Sequence, residues 1–96
     1  MLQINKRPLA NEDLINIWIF TYENWGADQA DLYLDRMEEK IFSLAENPKK
    51  YRLRQQFTPA VRICPHESHI IIYIDDSDSI DIIRVLHDSM DTEQHI

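Results

Sequence analysis

The chain has 96 residues, a formal net charge of −7, 44% apolar residues and one cysteine. That length supports one modest core and excludes a second domain. A lone Cys64 excludes a disulfide framework, no run of ~20 apolar residues is present to span a membrane, and the acidic balance disfavours general affinity for phosphate backbones.

The predicted elements begin with a short alternating strand over Leu2 to Lys6. Pro8 suits a first helical turn, and Glu12 and Asp13 follow where they would complement the helix dipole. Leu14, Ile17, Trp18, Tyr22 and Trp25 then recur at three- and four-residue spacing, which predicts one broad aromatic face turned to the core. Ile15 and Ile19 project away from that face. Gly26, the only glycine, is expected to end the helix as a left-handed cap.

The second helix has the clearest period, with Ala30, Tyr33, Leu34, Met37, Ile41, Leu44 and Ala45 on one stripe until Asn47-Pro48 stops it. One glycine between two helices forces an αα-hairpin.

Beyond Pro48 the period changes to two. Arg52 to Arg54 and Val61 to Cys64 alternate, and Pro65 to Ser68 reads as the turn into His69 to Ile74. That unbroken apolar run predicts a central strand covered on both faces or flanked by a partner. Asp75 to Ser79 turns the chain into Ile80 to Leu86, which short connections force to pair antiparallel with its predecessor. A short terminal helix is expected near Asp88. The fold class is therefore α+β in the order β-α-α-β-β-β, a helical hairpin packed on an antiparallel sheet.

Few residues offer chemistry. Cys64, His66 and His69 are the nearest approach to a metal set, but no second pair completes it, so a buried thiol and two turn histidines are expected, with no metal and no cofactor. One glycine rules out a phosphate-binding glycine loop. The remaining catalytic candidate is a cationic sheet on which Arg52, Arg54, Arg62 and Arg84 would stabilise phosphate charge while His87 or Tyr73 served as acid or base. The simpler reading pairs Arg62 and Arg84, on neighbouring strands, with the abundant carboxylates. Charge is polarised along the chain: Lys49, Lys50, Arg52, Arg54 and Arg62 stand against acidic residues crowding the segment after Asp75. Such a surface favours oriented association.

Taken in order, Pro8-Leu9-Ala10 with Asp13-Leu14, Ile17-Trp18, Trp25-Gly26 with Gln29-Ala30, and Tyr33 resemble the helical hairpin of ParE toxins in the RelE/ParE superfamily. Leu44 to Pro48, Val61-Arg62, His69 to Tyr73, and Ile82 to His87 followed by Met90-Asp91 resemble that family's helix end, arginine-bearing strand, central strand and closing strand. The family usually has a glycine after Pro48, where this chain reads Lys49-Lys50-Tyr51.

The resemblance implies a cytoplasmic toxin of a type II toxin–antitoxin module, without catalytic residues or cofactor, forming a hetero-oligomer with a ParD-like antitoxin and inhibiting DNA gyrase. A ribosome-dependent mRNA endonuclease of the RelE type is the alternative, and a non-toxic antitoxin-binding homologue is a further one. Neither sequence-specific nucleic-acid binding nor membrane contact is expected. Arg62, Arg84, His87 and Met90 are the expected target contacts. Ile15, Trp18, Ile19, Tyr22, Ile72 and Ile74 are the expected antitoxin contacts, because the first helix and the central strand carry more apolar surface than one core can hide.

Overall fold

In the computed structural model, which describes residues 2–96, the chain runs β1 (Gln3–Lys6), α1 (Pro8–Trp25), α2 (Ala27–Glu46), β2 (Leu53–Arg54), β3 (Val61–His66), β4 (His69–Asp75), β5 (Ser79–His87) and α3 (Thr92–His95). Pro8 opens α1, where its missing N–H costs nothing. Gly26 joins the helices at φ 91° and ψ 173°, a region essentially restricted to glycine rather than the expected left-handed cap. Its N–H bonds to the Tyr22 carbonyl and its carbonyl accepts from Ala30, so this one residue closes α1 and opens α2.

The sheet order is β1-β5-β4-β3-β2. Three neighbouring pairs are antiparallel as expected, but β1 lies parallel to β5, with Ile4 opposite Ile80, so the sheet is mixed. Turn chemistry fixes only local pairing, whereas β1 reaches its partner through the whole hairpin. The expected four-residue turn at Pro65 is tighter. His66 pairs directly with His69, and Glu67 supplies the positive φ of 53° that the two-residue connection needs. After Pro48 the chain turns without a glycine, Lys50 donating to the Asn47 carbonyl.

The hairpin covers one face of the sheet. Leu14 and Ile17 from α1, with Met37, Ile41 and Leu44 from α2, pack on Cys64, Ile71, Tyr73, Ile80, Ile82 and Val85. Strand alternation sends Ile72 to the opposite face, where it joins Val61, Ile83 and Leu86 under Phe57. A bulge beside Ile72 and Tyr73, opposite Ile83, is what lets β5 serve both faces. Thus β4 is central and covered on both sides by this chain's own residues. Ile72 is fully buried, which removes it from the expected antitoxin contacts, and Ile74 is half-buried.

The α2 stripe is as its period predicts, with Ala30, Met37, Ile41, Leu44 and Ala45 buried. On α1 the expected aromatic face is rotated. The buried line is Ala10, Leu14, Ile17 and Thr21, while Trp18 is half-buried and Tyr22 and Trp25 are exposed. At ~100° per residue, both stripes share the same spacing and only their phase differs. Thr21 is tolerated inside because its hydroxyl donates to the Ile17 carbonyl at 2.7 Å.

Candidate functional site

The arginines expected to face a target are both engaged within the fold. Arg62 Nε donates to Asp75 Oδ1 at 2.7 Å and its Nη1 to the Tyr51 carbonyl at 2.6 Å. Arg84 donates to both Asp13 oxygens at 2.8 and 2.9 Å and, through Nη1, to the His95 carbonyl at 2.9 Å. Asp13, which lies past the first turn, therefore does not serve the helix dipole. It also accepts from the Val85 N–H at 2.9 Å and satisfies the edge of β5 where β1 has ended. The hydrogen bond to Asp13 raises the Arg84 pKa further above its ordinary value, so it stays charged.

Arg62 and Arg84 do not sit on neighbouring strands, since β4 separates β3 from β5. Tyr73, the other acid/base candidate, is buried and donates to the Pro48 carbonyl at 2.7 Å; burial pushes its pKa far up. The cationic catalytic sheet is not assembled from these residues. Cys64 lies in the core beneath the hairpin, and desolvation raises its pKa, which makes it a packing residue rather than a nucleophile.

Two open surfaces stand out among the described residues. The first is the outer side of the helical hairpin. Ile15 (60% exposed), Ile19 and Tyr22 stand clear of the core, as expected for Ile15 and Ile19. Trp18 is held by its indole N–H donating to Asp31 at 2.9 Å and by stacking on Tyr22, rings 5.2 Å apart and 7° from parallel. Phe42 on α2 is exposed as well, and acidic Asp31, Asp35, Glu38 and Glu39 share that helix. A broad apolar stripe bordered by carboxylates suits an apolar partner segment that carries basic residues.

The second is a groove of about 690 Å³ between α1, the start of α2, the end of the β4–β5 pair and the C-terminal segment. Ile17 and Leu86 form part of its floor, exposed Phe20, Trp25 and Met90 its apolar rim, and Tyr33, His69, His87 and His95 its polar wall. Phe20 and Trp25 meet edge to face at 6.2 Å. Tyr33 Oη lies 2.6 Å from His69 Nδ1. Burial raises the Tyr33 pKa and lowers that of His69, so Tyr33 stays protonated and donates to a neutral imidazole. The His69 ring meets His87 edge-on at 5.5 Å, and His87 Nδ1 is held by Ser89 Oγ at 2.7 Å. The Arg84–His95 bond ties the C-terminal segment down so that Met90 can form a lip.

Of the expected target contacts, His87 and Met90 are exposed at this groove. Phe20 and Trp25 went unassigned as groove residues because their helical spacing alone does not show that the groove exists. Among the described residues, no helix is long and apolar enough to cross a membrane.

Comparison with known proteins agrees with this architecture. A solved chain titled as a chromosomal ParDE toxin–antitoxin system from P. aeruginosa superposes with a TM-score of 0.79 over 91% of this chain and 96% of its own, at 19% identity. Toxin ParE1 of Mycobacterium tuberculosis is 36% identical over 90 residues, 93% of this chain and 92% of the relative. Toxin ParE1 of Caulobacter vibrioides is 32% identical over 87 residues, covering 91% and 90% of the two chains. The profile for the ParE toxin of type II toxin-antitoxin system, parDE, matches residues 4–92, and the chain belongs to this family of type II toxins.

Proposed function

We propose that this ParE-family toxin acts in the cytoplasm by binding DNA gyrase, and that a ParD-like antitoxin neutralises it in a hetero-oligomer. The observation that carries the reading is the contrast between internally paired arginines and open apolar surface. Arg62 and Arg84 are each held by an internal carboxylate and a backbone carbonyl, which offsets the charge they could present to a phosphate transition state. Ile15, Ile19, Phe20, Tyr22 and Trp25 instead remain in solvent, as in a surface awaiting a protein.

In this reading the antitoxin lays an amphipathic helix along Ile15, Trp18, Ile19 and Tyr22, and an extended stretch contacts half-buried Ile74 near the end of the central strand. His87 and Met90, both exposed on the C-terminal side of β5, contact the target. Arg62 and Arg84 contribute by holding β3 and the C-terminal segment in place rather than by touching it.

Purified chain should block supercoiling by gyrase at near-stoichiometric ratio, and the antitoxin should restore it. His87→Ala and Met90→Ala should weaken inhibition without lowering thermal stability. Undiminished supercoiling together with ribosome-dependent mRNA cleavage would reverse the reading in favour of the nuclease.

A further inference from the structure

All four histidines of the chain lie at one end of the molecule, and three of them line the 690 Å³ groove. His66 and His69 face each other across the β3–β4 hairpin, His69 and His87 across β4–β5, and His95 approaches from the C-terminal segment. Around them stand two exposed carboxylates, Glu67 on the hairpin turn and Asp88 just past β5; His66 Nε2 is 3.5 Å from Glu67 and His87 Nδ1 3.3 Å from Asp88. The one arginine in the groove is neutralised by Asp13, so at neutral pH the open charge at this end is negative. The exposed aromatic pair Phe20 and Trp25 lines the same groove as Glu67.

We propose that the groove is a docking pocket for a lysine or arginine side chain, flanked by an apolar residue, on an extended segment of the antitoxin, and that protonation of the surrounding histidines expels it. The partner's identity rests on the antitoxin reading above, whereas the ligand chemistry stands on the groove itself.

An aliphatic stem would lie against Met90 and Trp25, both exposed on the rim. The cationic head then meets aromatic faces and Glu67, with Asp88, 3.3 Å from His87 Nδ1, just beyond the lining. The groups facing His69 are Tyr33 from α2, His66 from β3, Glu67 from the turn, His87 from β5 and Asp88 beyond it. Across the groove are Asp13, already paired, and His95. Acidification therefore changes the sign of this end chiefly through its histidines, with burial making His69 harder to charge. Docking at this point would also cover His87 and Met90.

The test uses the free chain and two dipeptides, acetyl-Leu-Arg-amide and acetyl-Leu-Glu-amide, followed by NMR of the tryptophan indole and histidine ring protons. The Arg peptide should shift Trp25, His69 and His87 with a dissociation constant of about millimolar near pH 7.5, and bind about tenfold more weakly near pH 5.5. The Glu peptide should leave them unmoved. Glu67→Gln with Asp88→Asn, both on the surface and outside the core, should weaken the Arg peptide about three- to tenfold.

Equal shifts with both peptides, shifts confined to Trp18, or no shift would overturn the assignment. Titration of the cognate antitoxin then separates the two readings. If the Glu67/Asp88 double variant binds it several-fold more weakly, the groove is an antitoxin site. If that variant binds it as wild type while Ile15→Ser with Ile19→Ser does not bind, the groove assignment fails and the antitoxin reading stands. If wild type does not bind it at all, the antitoxin reading fails and the dipeptides alone decide the groove.

Discussion

The two long helices lie side by side in one hairpin yet divide their labour unequally. On α2 the apolar stripe and the buried stripe largely coincide, and most of what remains is charged. On α1 the buried line is Ala10, Leu14, Ile17 and Thr21, two of them small, while Leu9, Ile15, Ile19, Phe20, Tyr22 and Trp25 stay exposed. α2 spends most of its hydrophobicity on folding, leaving Leu32 and Phe42 outside. The other carries a surplus that folding does not use, and the surplus points to recognition.

Breaking α2 should give the largest loss of stability. Ile41 is 1% exposed and packed between the hairpin and the sheet, so Ile41→Ala should cost about 2–5 kcal/mol by urea denaturation. An equal loss on truncating exposed Ile15 would show that the helices are not divided in this way.

Next is the polar anchor of α1. Asp13→Ala removes the partner of Arg84 and the acceptor of the Val85 N–H, leaving a mostly buried cation unpaired, and should cost about 3 kcal/mol. The better helix propensity of alanine offsets only about 0.5 kcal/mol of this. Combining Asp13→Ala with Arg84→Met strands neither charge, so the double variant should cost less than Asp13→Ala alone.

α2 has its own anchor to the sheet in the Tyr33–His69 bond, and this one responds to pH. Desolvation, reinforced by neighbouring His87, holds the His69 pKa below its ordinary 6.5. The unfolded chain therefore takes up this proton first, so the contribution of His69 is fully present above 6.5 and declines as pH falls from there towards the lowered folded value. His69→Gln keeps an acceptor for the Tyr33 hydroxyl but cannot titrate. Melting temperature plotted against pH should fall less steeply below 6.5 in the variant than in wild type. Parallel curves would remove His69 from the acid sensitivity.

How far this division could be read from sequence differs between the helices for a physical reason. The α2 stripe was legible because its apolar residues define a single phase with charges opposite. On α1, Leu14 and Ile17 share their spacing with Trp18, Tyr22 and Trp25, so the period indicates a helix without saying which phase is buried. Size misleads there too. The hairpin and sheet approach closely enough that Ala10 and Thr21 fill the contact, and the large aromatics are turned outward. The pairing of Asp13 with Arg84 spans 71 positions, and the parallel β1–β5 pairing is likewise non-local; neither leaves a short-range mark. The meander was legible because short connections force consecutive strands to pair with one another.

The smallest expected effect on the free fold is the sharpest test of the comparison. Ile15 and Ile19 lie one turn apart on the outer side of α1, and both are exposed. Replacing both with serine removes little buried area, so the transfer loss is small. The remaining cost is helix propensity, about 0.5 kcal/mol for each Ile→Ser exchange at most, and free stability should change by no more than about 1 kcal/mol. Binding should behave otherwise. If an antitoxin helix rests on this stripe, each isoleucine becomes buried only in the complex, and losing two such contacts is worth about 3–5 kcal/mol, or a few hundred- to a few thousand-fold in affinity. Since the partner stabilises the folded chain by mass action, wild type should melt well above its free value on adding antitoxin while the double variant should gain far less. Calorimetric titration and thermal melts with and without partner read both quantities. A variant that unfolds on its own would place Ile15 and Ile19 among the folding residues, and one that binds as wild type would move the recognition surface off α1.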